Sequence, residues 1–149
     1  MRIVINPVED IEGAYKSGNF FTGFALAVTY FEYEANLILG MFFQGRIPHE
    51  TVERWSLASK IRIIFGLNLI EEEACHKIGE IIGIRNGLVH LTDREDKEHR
   101  KRDVFLRFRL NEKEKSLLLS FKECYSKLMQ ADSKLFEEKL GNSQKLKSL

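Results

Sequence analysis

The sequence is short of nearly every feature that would assign it to a specialised class. It has two cysteines, Cys75 and Cys124, far apart in the chain. That excludes a disulfide-stapled scaffold and the paired spacing of a structural zinc site, and leaves buried reduced thiols as the reading. It has two prolines, Pro7 and Pro48, so long helices can run unbroken. It has almost no excess charge: 23 basic against 22 acidic residues give a net of +1, which excludes a general nucleic-acid coat and leaves room only for a local basic patch. No apolar run approaches the roughly 18 residues of a membrane span. The richest stretch, Phe20 to Phe43, is interrupted by Glu32, Glu34 and Asn36. Met1 to Asn6 is too short to read as a secretory leader and Pro7 stops it, so the expectation is a soluble cytoplasmic protein with no membrane association.

What is present is core-forming material. Apolar residues make up 44% of 149 positions, including eleven Phe and one Trp, which suits one domain. Residues 2–5 read as a short strand. Val8 to Gly18 reads as one helical turn followed by a loop. Asn19 is a candidate N-cap for the first long helix, whose stripe is Phe24, Val28, Phe31, Ala35 and Leu39. Thr29, Glu32 and Asn36 form a separate polar line on it. Gly40 and then Gly45 to Pro48 end it. A second helix is expected from His49 to Phe65, with a break at Gly66-Leu67-Asn68. A third follows, with Asn68 and Glu71 as a capping pair and the apolar face Ala74, Ile78, Ile81, Ile82 and Leu88, ending near Leu91-Thr92. Thr92 to Arg102 reads as a solvated loop closing on the basic cluster His99 to Arg102. Residues 104–110 alternate with a period of two and read as a strand, which could pair with 2–5 as a small two-stranded appendage. The last helix is capped by Asn111 with Glu114, carries Leu117, Phe121, Cys124, Leu128, Ala131 and Leu135, and is expected to stop at Gly141. The expectation is therefore an all-α domain over residues 1–141 and a polar, disordered tail over 142–149.

The third helix carries the unusual chemistry. Gly79, Gly83 and Gly87 lie four apart, on one face. Each costs about 0.5–1 kcal/mol relative to Ala inside a helix. Such a stripe lets a second helix come close, backbone to backbone. Asn86 and His90 share that side of the helix, and Arg85 is displaced about 100° from Asn86. Arg offers a permanent charge and a fork that suits phosphate; His exchanges a proton near neutral pH. Together they suit RNA cleavage without a metal: one His takes the 2′-OH proton, Arg stabilises the phosphorane, and a second His protonates the leaving oxygen. One chain supplies one such His, so two copies meeting at the glycine stripe would complete the site. The structural alternative is an Arg85 paired inside the bundle, an Asn86 satisfying backbone groups and a His90 near the helix C-terminus. A metal site built on Cys75, His76 and His90 has poor geometry, because adjacent residues on a helix diverge, and no cofactor is implied.

Arg85-Asn86-Gly87-Leu88-Val89-His90 resembles the Arg-x4–6-His signature of the HEPN superfamily. Ser59-Lys60-Ile61-Arg62, then Gly66 to Glu72, then Ile81 to His90 is similar in order to the mannitol-repressor-like branch. The similarity spans about residues 20–92. It implies a four- to five-helix bundle, a homodimer with Gly79, Gly83 and Gly87 at the interface, and Arg85, Asn86 and His90 as catalytic residues of a metal-independent RNase. An acidic residue from an earlier helix, here Glu32, would stand near the Arg. Arg100, Lys101, Arg102, Arg107 and Arg109 would draw in the RNA backbone. A toxin or defence role would bring an antitoxin or regulatory protein as partner. The chain departs from the toxin-type pattern after the His, where Leu91-Thr92 replace x-Tyr. The mannitol-repressor-like branch implies the alternative, a non-catalytic dimer that regulates through protein contacts.

Overall fold

A computed structural model describes the backbone of residues 6–98 and 110–147, and the side chains of 6–89 and 110–141. The described residues are all-α, with no strand among them. The elements are α1 (Pro7–Lys16), α2 (Phe20–Phe43), α3 (His49–Arg54), α4 (Leu57–Gly66), α5 (Glu72–Glu98), α6 (Glu112–Leu117), a 3-10 turn (Leu118–Ser120) and α7 (Phe121–Lys147). The proposed strand pair, 2–5 with 104–110, lies outside the described residues except for Leu110, which has no regular structure. No helix among the described residues is long and apolar enough to cross a membrane.

α2 is the central element and packs on α1, α4, α5 and α7. Its expected stripe is wholly buried: Phe24, Phe31, Ala35 and Leu39 are inaccessible and Val28 nearly so. α7 lays Phe121, Cys124, Leu128 and Ala131 against it. The Phe31 and Phe121 rings lie 5.1 Å apart, and Tyr125 stacks on Phe121 at 5.2 Å. Each fully buried side chain of this size stabilises the fold by about 1.5–3 kcal/mol. α5 closes the other side with Ile78, Ile81, Ile82 and Leu88. Gly23 allows the close packing of α1 and the 3-10 turn on α2, because a Cβ there would stand 2.5 Å from Leu118 Cδ2 and 3.3 Å from Ala14 Cβ.

Several element boundaries differ from the sequence expectation. α1 is a full ten-residue helix, not one turn. Asn6 caps it by accepting from the Glu9 N–H at 3.2 Å, and Pro7 occupies its first turn. The Tyr30 hydroxyl then ties it to α2 by donating to Asp10 Oδ2 at 2.7 Å. Asn19 stands at the start of α2 without a side-chain cap bond. The expected helix 49–65 is broken: Trp55 is extended and Ser56 starts α4 by accepting from the Ser59 N–H. Lys60, fully buried, reaches back from α4 to the Glu53 carbonyl at 3.5 Å. Asn68 does not cap α5. It takes a left-handed conformation, φ 64°, as part of the turn out of α4. The Glu71 carbonyl accepts the first α5 bond, from Cys75 N–H at 3.1 Å.

α5 continues through the charged segment to Glu98 instead of ending near Leu91-Thr92. Residues 93–98 include good helix formers and contain neither Gly nor Pro to stop it. The Asn111–Glu114 capping box is present, with bonds of 2.8 and 3.1 Å. It opens only the short α6, and the chain tightens at 118–120 before α7 begins. α7 passes through Gly141 to Lys147. One glycine with no following proline weakens a helix without ending it. At 27 residues α7 is about 40 Å long.

Candidate functional site

The face of α5 is set by its isoleucines. With Ala74, Ile78, Ile81, Ile82 and Leu88 turned into the bundle, the opposite side must face outward. Gly79, Gly83, Asn86 and Gly87 are all exposed. A Cβ built on any of the three glycines meets nothing within 4 Å, so no other described element uses the space above them. His90 is the next position along Asn86's row, on the same unbroken helix. Its side chain lies outside the described set.

Arg85 falls on the other side. Helical geometry puts it about 140° round the axis from His90 and in the middle of the isoleucine face. It is half-buried, and its Nε is buried without a hydrogen-bond partner. α2 is one of the helices that pack on α5. On the polar line of α2, Thr29 is satisfied by the Ala25 carbonyl at 2.9 Å, and Glu32 is half-buried. Asn36 is the member whose Oδ1 is buried without a partner. Buried polar atoms without a partner thus stand on both helices: Glu34 Oε2 and Asn36 Oδ1 on α2, and Arg85 Nε on α5. Asn36 belonged to the line from which Glu32 is the sequence-based choice. The signal that separates them is depth, which spacing does not report. Arg100, Lys101, Arg102, Arg107 and Arg109 lie outside the described residues.

The metal-type residues are occupied otherwise. His76 Nε2 stands 2.8 Å from Glu80 Oε1 at the surface. The Cys75 thiol is half-buried and burial pushes its pKa up; Cys124 is buried, and its pKa is pushed to about 11 for the same reason. Among the described residues no three His, Cys, Asp or Glu side chains are grouped to hold a metal.

A second polar locus lies in the seam between α2 and α7 and was not singled out by spacing. Glu34 is only 4% exposed although it carries a carboxyl. Tyr125 donates to its Oε1 at 3.4 Å, and Oε2 is unpartnered. Burial raises its pKa to about 7, with the Asp132 carboxyl adding to the rise and the Tyr125 bond opposing it. The available signal was its position: Glu34 stands three residues after Phe31 and four before Ile38, on the buried face. An open groove of about 790 Å3 lies nearby between the start of α1 and α7, lined by Pro7, Tyr125, Met129 and Lys134; neither Arg85 nor Asn86 borders it. Compared with known protein families, curated proteins and solved structures, the chain matches none.

Proposed function

We propose that this chain is one half of a HEPN-type homodimer that cleaves RNA without a metal, in a toxin or defence setting, with Arg85, Asn86 and His90 at a site shared between two copies. The observation that carries the reading is the outward face of α5. Three helix-weakening glycines and Asn86 lie there in open space, in line with the His90 position. A second copy approaching along that face would offset their cost, which is about 1.5–3 kcal/mol for the three together. His90 of one copy would take the 2′-OH proton, the freed oxygen would attack phosphorus, and Arg85 would stabilise the phosphorane. The mate's His90 would protonate the departing 5′ oxygen. Each such proton transfer contributes about 10²–10⁴-fold. Glu32 would help hold Arg85, and Arg100, Lys101, Arg102, Arg107 and Arg109 would gather the RNA backbone. A regulatory protein or antitoxin would act by covering the same face.

The test is cleavage of single-stranded RNA in excess chelator. Activity should persist in wild type and fall by at least about 10²-fold in His90→Ala at unchanged stability. A folded wild-type dimer that cleaves no single-stranded RNA sinks the reading. One observation favours a second reading, a non-catalytic regulatory dimer: Arg85 sits on the bundle side of α5 with Nε buried. In that case Arg85→Ala lowers the melting temperature, and His90→Ala changes no RNA-directed activity.

A further inference from the structure

Around α5, at 100° per residue, Glu72, His76, Gly79, Gly87, His90 and Arg94 all lie within about 40° of Gly83. Glu72, His76 and the three glycines are exposed. His90 and Arg94 are placed by the register of the same helix. The row has an order, with an acid at one end, glycines in the middle and a cation at the other end. It is also symmetric about Gly83. Gly79 and Gly87 each lie four residues from it, His76 and His90 seven, and Glu72 and Arg94 eleven. His76 is held in place: its Nε2 stands 2.8 Å from Glu80 Oε1, which leaves Nδ1 for a further partner.

Two copies crossing at Gly83 can run in the same or in opposite directions. In the same direction, Glu72 meets Glu72, Arg94 meets Arg94, and the two helix dipoles lie parallel. In opposite directions, each Glu72 meets Arg94 of the partner copy, each Gly79 meets a Gly87, and the dipoles oppose. Charge therefore selects the antiparallel crossing. Seven residues at 1.5 Å put each His90 about 10 Å from the crossing point, so the two would stand about 20 Å apart, too far to act on one phosphate. The residue that comes opposite His90 is His76 of the partner copy. We propose, resting on the reading of a two-copy RNase given above, that the α5 helices cross antiparallel at Gly83 and that the acid completing each site is His76 of the partner copy, in place of its His90. His90 takes the 2′-OH proton and becomes imidazolium as the 2′ oxygen bonds to phosphorus. The bond from phosphorus to the 5′ oxygen breaks, and the protonated His76 of the partner copy gives its proton to that oxygen. The ends left are a 2′,3′-cyclic phosphate and a 5′-hydroxyl. A dimer so built holds two sites, each made from both copies.

The experiment is subunit complementation. His76→Ala and His90→Ala, each alone, should lower cleavage of single-stranded RNA in excess chelator by at least about 10²-fold. Mixed one to one and allowed to exchange, they should recover about a quarter of wild-type activity, because about half of the dimers are mixed and each mixed dimer keeps one of its two sites intact. A His76→Ala protein with wild-type activity, or a mixture no more active than its parts, overturns the proposal. A second measurement reads the crossing without any activity. Glu72→Arg should weaken self-association on the order of tenfold in analytical ultracentrifugation at low ionic strength, and Arg94→Glu should do the same. The double variant should associate as wild type does. Single reversals that leave association unchanged also overturn the proposal. A wild type that cleaves no RNA but follows this charge pattern sinks the RNase reading and supports the antiparallel crossing.

Discussion

Gly23 of α2 and Gly83 of α5 both sit inside long helices, where either would cost about 0.5–1 kcal/mol relative to Ala. Their surroundings are opposite. Gly23 is enclosed by Leu118 and Ala14, and a methyl group there would overlap a fully buried leucine. Gly83, with Gly79 and Gly87 on the same face, is in the open. Packing within one chain thus accounts for the first glycine and leaves the other three without a use. The difference marks the face where the proposed second copy would lie: three glycines there weaken their own helix and meet no other element of the same chain.

Four substitutions sharpen that contrast, taken from the largest effect down. Phe31→Ala removes the side chain that joins α2 to Phe121, and should lower unfolding free energy by about 3–5 kcal/mol in denaturant titration. It sets the scale for the interior side of the comparison. The triple change Gly79→Ala, Gly83→Ala and Gly87→Ala should raise the stability of the monomer by about 1.5–3 kcal/mol, from helix propensity alone. The same protein should lose self-association in analytical ultracentrifugation. A triple variant that associates as wild type does would break the contrast, because the open face would then have no partner. Gly23→Ala should act with the opposite sign. Overpacking costs about 1–3 kcal/mol and the propensity gain returns up to about 1, so a net loss near 1 kcal/mol is expected in the same titration. Asn111→Ala, at the capping box of α6 and away from both glycine faces, should cost about 1 kcal/mol by thermal melting and leave association unchanged.

The helical stripes were readable because a buried face repeats every three to four residues. Phe24 to Leu39 and Ala74 to Leu88 announce their elements in this way, and both are buried as read. What the repeat does not carry is the neighbour. Ile61 and Ile64 continue the apolar pattern after Trp55, so the break at Ser56 is hidden in a stripe that looks unbroken; it depends on a single hydroxyl accepting the Ser59 N–H. Asn68 is chemically suited both to cap a helix and to take a left-handed turn, and local sequence does not choose between them. Glu34 reads as an interruption of an apolar run. Only the arrival of α7, from far along the chain, makes it a buried acid facing another acid. Arg85 is intermediate: its position on the isoleucine face follows from spacing, but the burial of its Nε does not. For the proposed site, then, the helix and its faces were legible, while the depth of each polar atom was not.

Lys60 ties the end of one helix to the start of the next. Its Nζ is sealed from solvent and reaches the Glu53 carbonyl across the two-residue bend at Trp55-Ser56. That bend therefore has a fixed length. An added residue there would pull the carbonyl away and leave a buried nitrogen without an acceptor. The turn at Ser17 to Asn19 and the one at Gln44 to Gly45 are exposed and carry no such tie. Of these three junctions, the least conspicuous is the one that would refuse an insertion.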